Sequence, residues 1–271
     1  MTQADLAYGF VPSAVLGELQ DIGNWKSRAN GIDRLHKALV DVRSSAILRP
    51  QLSEFVSFLM SLVQDPNFKI AMSSLQILGE LIAKVGRDIE PQIKVIMPTL
   101  VDKFSDSKLM VRIANLKVIK QLLAIAGGQK IVAQLSVGMR HTNWVVREGC
   151  VNACTMILLQ FRGSGIDQQQ LFDVLMGAVA DSKERVRCAA LEALAALSAA
   201  AGGPAMSSML SVSAVKDGVR TLVRARLKSG AVPSVSAEGI VEPAPGAAEL
   251  AAADNGAAAV GGGGGGERSG P

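Results

Sequence analysis

The sequence predicts an all-α solenoid of stacked helix pairs, and three observations predict it. A seven-residue loop-into-helix pattern occurs five times, starting at residues 22, 65, 106, 141 and 181. Each copy is followed by apolar residues at helical spacing. The composition is 49% hydrophobic but only 4% aromatic. Its apolar residues are mostly Ala, Val, Ile, Leu and Met, and alternating Val/Thr/Tyr stretches are missing, which favours layered helices over sheets.

Two copies of the pattern are nearly one string: Asp106-Ser107-Lys108-Leu109-Met110-Val111-Arg112 and Asp181-Ser182-Lys183-Glu184-Arg185-Val186-Arg187 both read D-S-K-x-x-V-R. His141-Thr142-Asn143-Trp144-Val145-Val146-Arg147 keeps the V-R ending, while Asp65 to Ala71 and Ile22 to Arg28 are looser copies. The steps between starts are 43, 41, 35 and 40 residues, the length of a two-helix repeat of the HEAT or armadillo kind. Stacked repeats line their loops along one edge, so those five loops form a candidate binding surface.

Counting from the last residue of each pattern, the +4 positions are Ile32, Leu75, Leu116, Val151 and Leu191. The +7 positions are Leu35, Leu78, Ile119, Cys154 and Leu194, and the +11 positions are Leu39, Ile82, Leu123, Leu158 and Ser198. This draws one apolar stripe down an inner helix in each repeat. The preceding apolar segments, 11–19, 52–63, 89–104, 130–139 and 166–180, are the outer helices. Pro50 and Pro91 suit helix starts, whereas Pro98 should kink its helix. Gly86, Gly127-Gly128, Gly163 and Gly202-Gly203 punctuate the ends of inner helices. Residues 205–228 offer one or two further helices as a short sixth, capping repeat. From 231 the chain turns to Ala, Gly, Pro and Glu, so the expected organisation is a HEAT-repeat domain over 1–230 and a disordered tail over 231–271.

The tail holds five acids, Glu238, Glu242, Glu249, Asp254 and Glu267, against one base, Arg268, so it carries −4 and residues 1–230 carry +8. A positive solenoid suits an acidic partner. The excess is spread out, unlike the dense basic stripe of a nucleic-acid binder. Cys150, Cys154 and Cys188 form no metal-binding spacing and read as small buried residues of a reduced, intracellular protein. MTQADLAYGF has no targeting pattern. Residues 193–215 lack charge but are too rich in Ala, Ser and Gly to span a membrane. With two histidines far apart, His36 and His141, and no phosphate-binding or nucleophile motif, the expectation is no catalytic residues, no metal and no cofactor.

Within the pattern, Asp106 and Asp181 read as helix caps, with Arg112, Arg147 and Arg187 as ladder residues that pair with an Asp of the same or the next repeat. The third position reads Asn24, Asn67, Lys108, Asn143 and Lys183, and the fourth Trp25, Phe68, Leu109, Trp144 and Glu184. Both tryptophans of the chain fall at this fourth position. An aromatic at a polar loop tip beside a cation, as Trp25 is beside Lys26, is an interface signature. Lys26, Lys69, Lys108 and Lys183 align along the same edge.

On Trp25-Lys26-Ser27-Arg28 in the first loop and D-S-K-x-x-V-R in the third and fifth, residues 8–228 resemble a TOG domain, the HEAT-repeat module that binds tubulin. Among TOG domains the chain is most similar to those of the CLASP and crescerin group. The resemblance implies a tubulin- or microtubule-binding domain that regulates microtubule dynamics, without nucleic-acid or membrane partners. It implies a place in the cytoplasm and cytoskeleton, and in the ciliary or flagellar axoneme for the crescerin branch. By position it assigns tubulin contact to Trp25, Lys26, Asn67, Phe68, Lys108, Asn143, Trp144 and Lys183. Trp144 and His141 in the fourth loop and the abbreviated sixth repeat depart from the family's pattern. The alternative reading is a HEAT-repeat adaptor that turns its basic edge to another acidic protein; an exposed Trp25 separates the two.

Overall fold

The computed structural model describes residues 6–161 and 165–246, with Glu249 and Ala252 beyond them. Its helices are α1 (Ser13–Gln20), α2 (Trp25–Val40), α3 (Leu52–Val63), α4 (Phe68–Val85), α5 (Ile93–Asp102), α6 (Leu109–Ala126), α7 (Gly128–Gly138), α8 (Trp144–Gln160), α9 (Gln168–Val179), α10 (Glu184–Ala201), α11 (Gly203–Val212) and α12 (Asp217–Lys228). Consecutive helices pair as α1 with α2, α3 with α4, α7 with α8 and α9 with α10. Odd helices also stack on odd ones (α3 on α5, α5 on α7, α7 on α9), and even on even (α2 on α4, α4 on α6, α8 on α10, α10 on α12). That is a two-layer solenoid, with the even helices as the inner layer.

The inner stripe explains why these helices pack. Of the fifteen stripe positions all are buried except Leu116 and Ser198, which are half-buried. Each fully buried Leu or Ile contributes about 1.5–3 kcal/mol, so the stripe drives the stacking more than helix propensity does. Cys150 and Cys154 lie in this core. Burial pushes the Cys154 thiol up to about 12 and that of Cys150 well above its ordinary value, so both stay protonated at neutral pH. The stretch Ser45–Val63 is long and apolar enough to cross a membrane by composition. It consists of two 3₁₀ turns, Ser45–Ile47 and Arg49–Gln51, followed by α3, whose Phe55, Val56, Leu59 and Val63 are buried in the solenoid.

The third outer segment is not one helix. Residues Gly86–Gln92 form a 3₁₀ turn containing Pro91, α5 follows, and Lys103–Ser105 add a second 3₁₀ turn. The α5 helix continues through the exposed Pro98. Gly86, Gly127 and Gly202 end α4, α6 and α10 with positive φ, as C-terminal glycines do; Gly163 lies outside the described residues. The sixth repeat is a pair, α11 and α12, both packed on α10.

Two short hairpins depart from the all-helical reading. β1 (Leu6–Ala7) pairs with β2 (Val11–Pro12) in front of α1, and Tyr8 and Phe10 set their rings against Phe55. β3 (Ser234–Val235) pairs with β4 (Val241–Glu242) and packs on α8. This corrects the expectation of a structureless tail for residues 231–246; the remainder of the expected tail, apart from Glu249 and Ala252, lies outside the described residues. The segment is short and weakly apolar, but a buried carboxylate on α10, Glu192, accepts the Ala244 N–H at 2.8 Å and holds it down.

Candidate functional site

All five inner helices of the pattern begin at its fourth residue: Trp25, Phe68, Leu109, Trp144 and Glu184. The third residue is therefore the N-cap. Asn24, Asn67 and Asn143 accept the backbone N–H groups of Ser27, Lys69 and Val145 at 3.1, 3.0 and 3.0 Å, which offsets the unsatisfied donors of a helix start. Lys108 and Lys183 hold the same position without a side-chain cap.

The capping role expected of Asp106 and Asp181 is thus corrected. They sit two residues before the cap and close the turn that leads into it. Asp65, Asp106, His141 Nδ1 and Asp181 each accept the N–H of the residue two ahead, at 2.8, 2.9, 3.0 and 2.8 Å. His141 does what Asp does elsewhere, because its Nδ1 is an acceptor placed like a carboxylate oxygen.

Side chains tie the five loops into one row. Arg28 of the first loop pairs with Asp65 of the second. Lys108 of the third lies 5.8 Å from the centre of the Phe68 ring in the second. His141 Nε2 of the fourth is 3.5 Å from Asp102 at the end of α5. Arg147 makes two hydrogen bonds, 2.6 and 2.8 Å, to Asp181 of the fifth, and Arg185 of the fifth lies over the Trp144 ring at 5.4 Å. Trp25, Lys108 and Lys183 accordingly share one edge.

The ladder arginines also fold back on their own loops. Arg112 donates to the Asp106 carbonyl at 2.6 Å, Arg147 to that of His141 at 2.8 Å, and Arg187 to that of Asp181 at 3.1 Å. Asp106 reaches Lys103 at 3.4 Å rather than a ladder arginine, since the second repeat has Ala71 where the others have Arg. Burial opposes the charged form of Asp181, but hydrogen bonds from Arg147 and the Lys183 N–H, with the Arg147 charge, hold its carboxyl below the usual range.

What these fixed loops present is apolar and basic. Trp25 is 50% exposed, Phe68 43%, Leu109 49% and Met110 63%. Lys26, Lys69, Lys108 and Lys183 are exposed around them. Trp144 is different: half-buried, packed against the core and covered by Arg185. The side-chain oxygens of Asn67 and Asn143 are engaged in their caps. Sequence reasoning placed Leu109 at the loop tip with the other fourth-position residues but left it out of the contact set, and it missed Met110, which looks like a core residue by type. The signal was its register, since the positions just before the buried Val111 face away from the stripe.

Residues 23–223 match the model of the family described as CLASP N terminal. The chain is 30% identical over 248 residues to human "TOG array regulator of axonemal microtubules protein 1", covering 89% of this chain and 14% of that protein. It is 24% identical over 244 residues to "Crescerin-like protein che-12" of Caenorhabditis elegans, covering 88% of this chain and 19% of that one. A solved structure reported as "Crescerin uses a TOG domain array to regulate microtubules in the primary cilium" superposes with a TM-score of 0.81 at 30% identity, covering 88% of this chain and 98% of that chain. The chain thus spans less than a fifth of the length of these two full-length relatives.

Proposed function

The chain belongs to the CLASP N-terminal family, and from that premise we propose that it binds the tubulin heterodimer through its row of intra-repeat loops and regulates microtubule dynamics in a ciliary or flagellar axoneme. The observation that carries this reading is Trp25: half-exposed at the first residue of α2, beside Lys26, in a loop already held by Arg28 and Asp65. An uncovered aromatic carried on a loop that is already held loses little backbone entropy on docking and suits an anchor. Phe68, with Lys108 against its ring, is the second anchor. Lys26, Lys69, Lys108 and Lys183 meet an acidic surface and steer encounter. Asn67 and Asn143 act mainly by shaping their loops, and Trp144 contributes its exposed rim. The action is recognition without chemistry, so no residue is assigned a catalytic role. One row supplies one site, so strong effects on growth need further sites on the same or a linked chain.

The names of the relatives support the axonemal setting, and the basic, aromatic edge supports an acidic protein partner. Size-exclusion chromatography of the full chain with purified tubulin tests this, at about 50 mM and about 200 mM salt. Co-elution at low salt that weakens at the higher salt is expected. Separate elution at both salts would falsify the reading and favour the adaptor alternative.

A further inference from the structure

We propose that residues 231–244 form a brace that sets the spacing between the third and fourth loops of the edge, with Gly239, Lys120 and Glu192 as its positioning residues. Its consequence for binding rests on the tubulin reading above; the brace itself does not.

The inner layer has one open step. Elsewhere even helices lie side by side, but α8 leans instead on α5 and on the 3₁₀ turn Lys103–Ser105. The approach there is close: a Cβ on Gly149 would sit 2.5 Å from the Phe104 side chain. On the inner face this step leaves a groove of 660 Å³ between α6, α8 and α10, lined by Arg112, Leu116, Glu148, Cys188 and the strap itself.

The strap leaves and returns to one carboxylate. Arg226 on α12 donates to Glu192 at 2.5 and 3.0 Å and to the Ala231 carbonyl at 2.9 Å. Glu192 is 1% exposed, and it also takes the Ala244 N–H at 2.8 Å. Between those two anchorages the β3–β4 hairpin crosses α8. At its tip the Ala237 carbonyl accepts from Lys120 of α6 at 3.3 Å. Gly239 turns the hairpin with φ +95°, and a Cβ there would lie 2.9 Å from Lys120 Cε and 3.0 Å from Met156 Sδ. The strap therefore links the sixth repeat to the third across the open step, with loops one to three on one side and loops four and five on the other. A partner that touches both groups of loops reads the spacing the strap sets.

The test uses the full chain. Spin labels at Ser107→Cys and Thr142→Cys, in a Cys188→Ala background, report the loop-three to loop-four distance. Gly239→Val forces a β-branched residue into a left-handed backbone, which it resists. Lys120→Met keeps the stem and removes the bond to the Ala237 carbonyl together with the charge that faces Glu238. Both variants should keep wild-type helicity and shift or broaden the label distance, Gly239→Val more so. Its tubulin Kd should rise about fivefold, the low end of coupling between separated parts of a fold. A distance distribution unchanged in both variants overturns the brace. A changed distance with unchanged affinity overturns its link to the edge. If the wild-type chain itself ignores tubulin, the loop-edge reading fails while the label distances still judge the brace.

Discussion

Arg147 and Asp181 illustrate how single residues in the pattern divide their work. Their charged groups are mostly buried against each other, with side chains 15% and 11% exposed, whereas Lys183, two residues on, points to solvent. Removing the pair should therefore change stability, and removing Lys183 should change binding. The Asp181 carboxyl is held below its unfolded value, so its contribution is complete above the ordinary Asp range near about 4 and is lost as pH falls through the lower folded value. Asp181→Asn should accordingly cost more stability at pH 7 than at pH 2.5, measured as the gap in urea midpoint from wild type; an equal gap at both pH values would count against the pairing. Arg112→Ala and Arg187→Ala should lower stability by about 1–3 kcal/mol through loss of the carbonyl bonds that fix their loops. Lys108→Ala and Lys183→Ala should each weaken tubulin binding by about 1 kcal/mol, and together flatten its salt dependence, because exposed cations act mainly on encounter.

At the scale of elements, the inner helices were legible and the connections between them less so. The stripe Ile32, Leu35, Leu39 and its counterparts encode helix, face and burial at once, since burial on one side of a helix imposes the spacing directly. The pattern also marks where α2, α4, α6, α8 and α10 begin. It does not say which residue caps, because Asp at the first position and Asn at the third both suit a helix start, and only the backbone path separates the turn from the cap. The split of the third outer segment around Pro91 was readable only in part, as Pro98 stays inside α5. Met110 was illegible as surface because residue type and position conflict there, whereas Leu109 was placed at the loop tip by its position in the pattern but not counted as a contact. Gly149 was missed for a different reason: its role depends on Phe104, forty-five residues earlier in sequence. Gly149→Ala should destabilise the chain by about 1–3 kcal/mol by overpacking this contact, read as a lower denaturant midpoint with unchanged helicity.

At the scale of the molecule, the solenoid is an edge-building device. Each repeat fixes one loop, and side-chain contacts from loop to loop, such as Arg28 with Asp65 and Arg147 with Asp181, turn five separate tips into one surface. The folded unit does not stop at residue 230 as composition alone suggests, because Glu192 and Arg226 hold residues 231–244 against the inner layer. A chain ending at Gly246 should therefore melt at a higher temperature than one ending at Gly230; equal melting temperatures would mean the strap contributes nothing to the fold. The central claim, however, is that the row of loops is a tubulin-binding edge anchored by Trp25, and Trp25→Glu tests it most directly. An exposed ring can be exchanged for a carboxylate without disturbing the core, while a lost central anchor costs on the order of 2–4 kcal/mol, roughly 30- to 1000-fold in affinity. The account predicts wild-type circular dichroism and melting for Trp25→Glu with tubulin binding nearly abolished, and a variant that binds tubulin with wild-type affinity would contradict it.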